Sequence, residues 1–211
     1  MYTPAAFVET DAAEIARLIA CNAFGLLVTV ADGVPVATHL PLLLEGPAGP
    51  GGRLVGHMAR ANGQWRGFDG TAMTLCVFTG VHAYVSPRWY ADPDNVPTWN
   101  YEAVHIYGRP RLIEAEASVR ALIERLSANF EAGRSKPWSP GELGDDNVAR
   151  RLKGIAAFEI SIERVEGKRK LGQNKPPADR RAAAAVLAAS ADPTEKAVGR
   201  LMAALDEPSG S

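Results

Sequence analysis

The alternation of apolar and polar side chains predicts a run of short β-strands with helices at the start, after the strand run and at the end of the chain. Turn residues such as Ala31-Asp32-Gly33 separate many of the alternating segments, as in β-hairpins. The predicted strands are Phe24–Val30, Val34–Leu40, Arg53–Met58, Ala72–Phe78, His82–Ser86, Trp99–Ile113 and Ala156–Val165, with a break at Thr79-Gly80. Antiparallel strands in this number tend to close into a barrel, because closure removes exposed edges.

Apolar residues at helical spacing predict five helices. They are Asp11–Ala23, Ala115–Glu131, Asp145–Lys153, Asp179–Ser190 and a last helix that opens at Asp192-Pro193. Asp11 with Glu14 resembles a capping box, while Asp192 with Glu195 supplies an N-cap and an acidic third position. The segment Glu207–Ser211 is expected to fray. The fold class is α+β, a small Greek-key or split barrel whose helices cover one side or the open ends.

Length and composition narrow the class of protein further. The 211 residues suffice for one domain with a real core, and 46% hydrophobic and 22% charged residues are ordinary globular values. A net charge of −1 gives no general attraction to nucleic acid or acidic membranes. Cys21 and Cys76 form no CxxC pair, and Cys76 lies in an apolar run where we expect it to be buried. No signal-peptide pattern and no membrane-length apolar stretch is found, so the sequence predicts a cytoplasmic protein.

Polar and aromatic residues concentrate in four segments of the chain. These are Thr38–Pro41, Gly56–Asn62 with Trp65, His82–Tyr90 with Pro97–Tyr101, and Lys168–Pro176. The four histidines, His39, His57, His82 and His105, lack metal-ligand spacing, and the sequence has no P-loop, GxGxxG or GxSxG motif. Basic side chains, amides and aromatics together suit a planar heterocycle that carries a phosphate, although the same aromatics also suit ordinary packing.

The segment Glu166–Arg181 holds six basic against two acidic side chains. Three interpretations are open: a DNA-contacting patch, a site for a ligand phosphate, or a solvated turn between a strand and the C-terminal helices. Composition alone favours the solvated turn. The absence of a helix-turn-helix pattern weakens the DNA interpretation.

Several multi-residue blocks occur in an order that resembles the PaiB family, which is described as FMN-binding negative transcriptional regulators. The blocks are Met1-Tyr2-Thr3-Pro4, Gly56–Asn62, His82–Pro87, Val96–Tyr101 and Lys170–Lys175. The resemblance covers residues 1–181 and implies an FMN-binding split barrel, related in fold to pyridoxamine-phosphate oxidases and flavin reductases. It also implies a homodimer with the cofactor at the subunit interface. Residues 182–211 are predicted to be a helical extension packed on the same domain.

The resemblance further implies where FMN contacts the chain. The strand end at Thr38–Pro41 is expected along the isoalloxazine ring, the block that begins at His57 near the ribityl-phosphate end, and the later residues close the pocket, some from the second subunit. The implied cofactor-binding residues are Thr38, His39, Leu40, His57, Met58, Ala59, Arg60, Asn62, Trp65, Trp99, Asn100, Tyr101, Lys170, Gln173 and Asn174. Gly172 departs from the serine expected in that block. No catalytic residue and no metal ligand is assigned.

Three functional hypotheses follow from the resemblance. The first is a regulator, or an accessory to one, in which FMN is a ligand or redox sensor and DNA is a possible partner. The second is a flavin-dependent oxidoreductase that uses NAD(P)H. The third is a haem-binding or haem-degrading split-barrel protein, in which a histidine would have to reach iron.

Overall fold

The computed structural model describes residues 1–92 and 94–206. The strands are β1 (Val8–Glu9), β2 (Phe24–Ala31), β3 (Val34–Glu45), β4 (Arg53–Ala59), β5 (Thr74–Val85), β6 (Thr98–Ile113) and β7 (Ile155–Lys170). The helices are α1 (Ala12–Cys21), α2 (Glu116–Glu131), α3 (Asp145–Leu152), α4 (Pro177–Ala188) and α5 (Pro193–Ala204). The fraying predicted for Glu207–Ser211 lies outside the described residues. No helix in the described ranges is long and apolar enough to span a bilayer.

The chain divides into two compact units, each assembled from separated segments. Unit 1 comprises Met1–Leu18, Thr79–Val104 and Glu166–Ser211, and unit 2 comprises Ile19–Phe78 and His105–Val165. Strands β5, β6 and β7 contribute residues to both units. The boundary predicted after residue 181 describes a different division of the chain and stays a prediction.

Unit 2 contains an antiparallel barrel. Its strands pair in the order β7-β4-β3-β2-β5-β6, and β6 also pairs with β7, so the ring of six strands closes. Close approach of β6 to β7 requires Gly108, because a Cβ there would lie 2.2 Å from the Ser161 carbonyl oxygen. Helix α2 packs Val119, Leu122 and Leu126 against the barrel in a buried cluster. The α+β class and the split barrel are thereby confirmed.

Unit 1 is organised around helices α4 and α5. Their apolar side chains form a buried cluster with Val85, Tyr90 and Leu171, which end or follow the long strands. The helix residues of this cluster are Ala183, Ala184, Leu187, Val198 and Met202. The predicted N-cap of α5 is confirmed, since the Asp192 carboxylate accepts hydrogen bonds from the Thr194 and Glu195 amides at 2.7 and 3.1 Å. Strand β1 pairs with the end of β7, with Val8 opposite Lys168.

The break predicted at Thr79-Gly80 is wrong, because β5 runs without interruption from Thr74 to Val85. Gly80 does not form a turn. It allows β5 to lie close to Glu102 of β6, since a Cβ at this position would lie 3.0 Å from the Glu102 Cβ. A glycine in a strand is compatible with both explanations, and sequence does not separate them.

The solvated turn favoured for the start of the basic segment is also wrong, because β7 continues five residues beyond the predicted end, to Lys170. The capping box predicted for α1 does not form. Asp11 accepts the Ala13 amide at 2.8 Å, but Glu14 binds Arg17 at 3.0 Å, and Glu9 accepts the Asp11 amide. An arginine one turn away competes successfully for the glutamate.

Candidate functional site

A cleft of about 450 Å³ in unit 2 brings seven of the predicted site residues together. Its volume falls within the range of small-molecule pockets. The lining residues are Thr38, His39, Leu40, His57, Met58, Ala59 and Asn62, with Pro41, Gly154 and Ile155. Antiparallel pairing explains the juxtaposition: β4 lies between β3 and β7, and Ala59 is directly opposite Ile155.

Asn62 ties the loop after β4 to the rim of this cleft. Its Nδ2 donates to Thr38 Oγ1 at 2.9 Å, and its Oδ1 accepts from the Gln64 amide at 3.0 Å, which caps a short 3₁₀-helix at Gly63–Gly67. Gln64 Nε2 in turn donates to Thr29 Oγ1 at 3.0 Å and to the Val36 carbonyl at 3.1 Å. The polar edge of the cleft is therefore held in place by hydrogen bonds to two strands.

His57 contributes a buried polar atom that no described residue satisfies. Its Nδ1 has no hydrogen-bond partner within residues 1–92 and 94–206. Burial lowers the pKa of His57 below its ordinary value of 6.5, so the ring is neutral at neutral pH. The same side chain also lines an apolar cleft of about 240 Å³ with Pro41, Leu126, Phe130 and Trp138. A neutral imidazole with an unpaired nitrogen fits a ligand that presents a polar edge.

Two guanidinium groups flank Trp65 on the segment that leaves the cleft. The guanidinium carbons of Arg60 and Arg66 lie 5.2 and 5.5 Å from the centroid of the Trp65 ring. Trp65 Nε1 donates to the Arg60 carbonyl at 2.9 Å, and the Arg60 amide donates to the Gly154 carbonyl at 2.8 Å. Arg60 itself lines a neighbouring cavity with Lys153. Both arginines are exposed and available to an anionic group.

The other six predicted site residues belong to unit 1, where three of them line a cavity of about 180 Å³. These three are Asn100, Lys170 and Asn174; the remaining lining residues are Phe7, Tyr90, Val96, Pro97, Thr98, Gly172 and Lys175. Gly172 has a φ of 86°, a conformation that favours glycine, so the departure from serine agrees with the local backbone.

Trp99, Tyr101 and Gln173 do not line this cavity. Gln173 braces the turn after β7, because its Oε1 accepts the Leu171 amide and its Nε2 donates to the Arg169 carbonyl. The Trp99 ring is half exposed and lies 6.1 Å from Tyr84, and the Tyr101 ring lies 4.9 Å from Lys168 Nζ. Gln173 is therefore held by hydrogen bonds within its own turn, whereas Trp99 and Tyr101 make contacts through their aromatic rings.

Sequence reasoning missed several lining residues. Gly154 and Ile155 reach the unit 2 cleft only through the pairing of β4 with β7, about a hundred residues apart in the chain, and no local motif signals them. Lys175 belongs to the basic segment without a separate predicted role, and Thr98 lies one residue before the predicted strand Trp99–Ile113. Among the described residues no three histidine, cysteine, aspartate or glutamate side chains gather as metal ligands would.

A closed antiparallel barrel with a ligand-sized cleft at the middle of β3 and the end of β4 defines the split-barrel class of protein. A family model described as "Putative FMN-binding domain" matches residues 1–164, and this chain belongs to that family. It is 37% identical over 202 residues to the "Protease synthase and sporulation protein PAI 2" of Bacillus subtilis (strain 168), with 96% of each chain covered. The resemblance to the PaiB family and the choice of a flavin as cofactor are thereby confirmed.

Solved structures with the same fold include two proteins of low sequence identity. The FAD and heme binding protein from Mycobacterium smegmatis matches with a TM-score of 0.58 and 18% identity, over 77% of this chain and 72% of that chain. The flavocytochrome Anf3 from Azotobacter vinelandii matches with a TM-score of 0.58 and 16% identity, over 77% and 68%. At these identities the likeness concerns the fold alone.

Proposed function

We propose that this chain binds FMN in the unit 2 cleft, with the isoalloxazine ring along Thr38, His39 and Leu40 and the phosphate toward Arg60. The observation that carries the proposal is a cleft of ligand size that brings seven of the expected contact residues together, with His57 and its unpaired Nδ1 in the wall. A buried polar atom without a partner is unfavourable, and a polar group of FMN that reached Nδ1 would relieve it.

The surrounding residues fit the three chemical parts of FMN. His57, Met58 and Ala59 flank the ring position, the Asn62 amide stands at the polar rim, and Arg60 beside Trp65 offers a cation to the phosphate. FMN, when bound, supplies hydride and single-electron transfer. In this proposal the chain's own residues bind and orient the ring.

For the role of the flavin we propose a ligand or redox sensor in a regulatory protein. The PaiB resemblance supports this, as does a relative whose name refers to protease synthesis and sporulation. Direct contact with DNA is part of this proposal, and a mobility-shift assay with the gene's own promoter tests that contact. A cytoplasmic location is likewise proposed, and the two unpaired cysteines, Cys21 and Cys76, support it.

A flavin-dependent oxidoreductase is the second candidate function. The apolar cleft lined by Leu126, Phe130 and Trp138 shares Pro41 and His57 with the proposed flavin cleft, so a small substrate would have room beside the ring. NAD(P)H consumption by the flavin-loaded protein supports this function, and no turnover with either nucleotide contradicts it. A Soret band after haem titration would instead favour haem as the ligand. The M. smegmatis neighbour is an FAD and heme binding protein.

We also propose the homodimer, with the β2–β3 hairpin of unit 2 as the contact surface. Phe24, Val30 and Val34 are each more than 60% exposed, and Val36 is 37% exposed. Val30 is opposite Pro35 and Val34 is opposite Ala31, so Phe24 and Val30 lie on one face of the hairpin and Val34 and Val36 on the other. Apolar side chains exposed on both faces of one hairpin are typical of an element that another subunit covers. The Phe24 ring stacks on His39 at 6.0 Å, so the face that carries Phe24 adjoins the proposed flavin cleft.

The dimer is tested by Val34→Lys, with Met73→Lys as a control, because Met73 is exposed in unit 2 and lies outside the hairpin. Sedimentation should show monomers for Val34→Lys alone, together with weaker FMN binding. A stable FMN-loaded monomer of the unaltered protein would contradict the dimer.

The six expected contact residues of unit 1 stay proposed site residues, and Trp99→Ala tests their contribution to FMN affinity. They are Trp99, Asn100, Tyr101, Lys170, Gln173 and Asn174.

The flavin phosphate is tested by Arg60→Ala, with Arg134→Ala as a control that removes another exposed cation elsewhere in unit 2. A charge-assisted hydrogen bond contributes about 1.5–3 kcal/mol, so Arg60→Ala should weaken FMN by roughly 10- to 100-fold. Riboflavin, which lacks the phosphate, should lose little affinity. Equal losses for both ligands would refute the placement of the phosphate.

A further inference from the structure

Strand β7 sorts its charged side chains by face. Arg169 points to one side, where it pairs with Glu102 at 2.8 Å, Glu9 at 3.4 Å and Glu14 at 3.6 Å. Lys168 and Lys170 flank it in sequence and therefore occupy the opposite side. Within residues 1–92 and 94–206 neither lysine forms an ion pair with a carboxylate. The carboxylates of this region of unit 1 serve the arginine and leave the lysines without counter-charge.

The turn after β7 adds a third ammonium group. Lys175 donates its amide to the Gly172 carbonyl at 2.9 Å, and its side chain lines the same cavity as Lys170. Lys175 Nζ donates to Asn95 Oδ1 and lies 5.2 Å from the Tyr90 ring centroid, but it too forms no ion pair among the described residues. The buried carboxylate of Asp179 is occupied by the Asp92 amide at 2.9 Å and by Asn95.

The ammonium groups of Lys168 and Lys175 are close enough to affect Lys170. Burial, and then the charges of Lys168 and Lys175, lower the pKa of Lys170. Lys170 Nζ donates to Thr98 Oγ1 and to the Trp99 carbonyl at 2.8 Å, which leaves one of its three donors unassigned. Like charges held together at a cavity wall are unfavourable unless an anion joins them.

We propose that Lys170, Lys175 and Asn174 form an anion site in unit 1 that binds the phosphate group of a phosphorylated ligand. The cavity of about 180 Å³ has room for a phosphate, and Asn174 adds an amide to the two cations. Two sources offer this chemistry: the phosphate of a nicotinamide nucleotide, or that of FMN, which would then not lie toward Arg60 as proposed above. Only the second source bears on the proposed function.

The primary test uses inorganic phosphate as the probe and measures the melting temperature of the full chain in anion-poor buffer. Phosphate should raise the melting temperature of the unaltered protein in a saturable way. Lys170→Gln and Lys175→Gln should each weaken the apparent phosphate affinity about tenfold, because each removes a charge-assisted hydrogen bond. Lys196→Gln removes one positive charge from α5 of the same unit and should leave the affinity unchanged.

The ligand-free melting temperature separates an anion site from a structural role. Relief of like-charge repulsion should leave the ligand-free Lys170→Gln protein at least as stable as the unaltered protein. A lower melting temperature with unchanged phosphate affinity would mean that Lys170 only braces Thr98 and Trp99, and would overturn the proposal. The absence of any saturable phosphate effect in the unaltered protein would overturn it as well.

Two ratios of ligand affinities, measured in the same variants, identify the source of the phosphate. A reduced preference for FMN over riboflavin assigns the site to the cofactor, and a reduced preference for NADPH over NADH assigns it to a nucleotide. Weaker inorganic phosphate binding with both ratios unchanged still supports the anion site and points to another phosphorylated ligand. Since inorganic phosphate contains no flavin, a failure of FMN binding leaves the primary test intact.

Discussion

Replacing His57 by leucine should raise the free energy of unfolding of the ligand-free protein and weaken flavin binding. The buried Nδ1 of His57 has no described partner, and an unsatisfied buried polar atom costs about 1–3 kcal/mol. Leucine occupies a similar volume without that penalty, so the free energy of unfolding without flavin should rise by about 1 kcal/mol. Loss of one hydrogen bond to the flavin should weaken its binding about tenfold.

The pH dependence of stability gives this prediction a second readout. Because the pKa of His57 in the folded chain lies below its ordinary value of 6.5, the unfolded chain binds more protons between the two values. His57 therefore favours unfolding as the pH falls below about 6.5, and the leucine variant should lose less stability between pH 7 and pH 5.

Urea unfolding of the flavin-free protein and fluorescence titration with FMN measure both effects. His57→Asn is the matched variant, because its side-chain amide keeps a polar group near the Nδ1 position and should retain most of the affinity. A less stable leucine variant with unaltered FMN affinity would refute the reasoning. It would mean that the histidine packs in the barrel and does not face the ligand.

Three further predictions concern the stability of the fold. Cys76 is fully buried and burial raises the pKa of its thiol to about 12, so a thiol reagent should label only the exposed Cys21 in the native protein and both cysteines in denaturant; rapid native labelling of two thiols would contradict the packing. Arg169→Met leaves the buried Glu102 with only Arg17 at 3.4 Å, and should lower the free energy of unfolding by about 3 kcal/mol in urea; a change below 1 kcal/mol would mean that Arg17 suffices. Gly199→Ala places a Cβ 2.4 Å from the backbone of α4 and should cost about 1–3 kcal/mol in thermal unfolding, whereas an unchanged melting temperature would show that α5 shifts freely.

Local pattern predicted the type of most helices and strands, because alternation and helical spacing are properties of neighbouring residues. The strand ends were predicted less well. Strand β3 extends five residues past the predicted end, because Leu42–Glu45 pair with β4. Strand β7 continues to Lys170 through mostly charged residues without hydrophobic alternation, because they pair with β1 and with carboxylates of distant segments. The same long-range pairing with β4 brings Gly154 and Ile155 to the cleft, where no local signal could place them.

The candidate site was predicted in part. The segment at Thr38 and the block that begins at His57 share one cleft, as the resemblance implied, because β3 and β4 are adjacent. Thr38–Pro41 lies in the middle of β3, however, and not at the strand end predicted for it. The expected contact residues of unit 1 differ in what they contact: Lys170 lines a cavity, whereas Gln173 forms hydrogen bonds within its own turn. The same short sequence motif can specify a backbone turn or a ligand contact, and only the side-chain geometry distinguishes the two.

The visible absorption spectrum of the freshly purified protein, taken again after FMN is added and the excess removed, shows whether this chain holds a flavin. If FMN occupies the unit 2 cleft, the protein should retain a flavin spectrum, shifted from that of free FMN, at one flavin per chain. A protein that stays colourless and retains no added FMN would contradict the proposed binding of FMN.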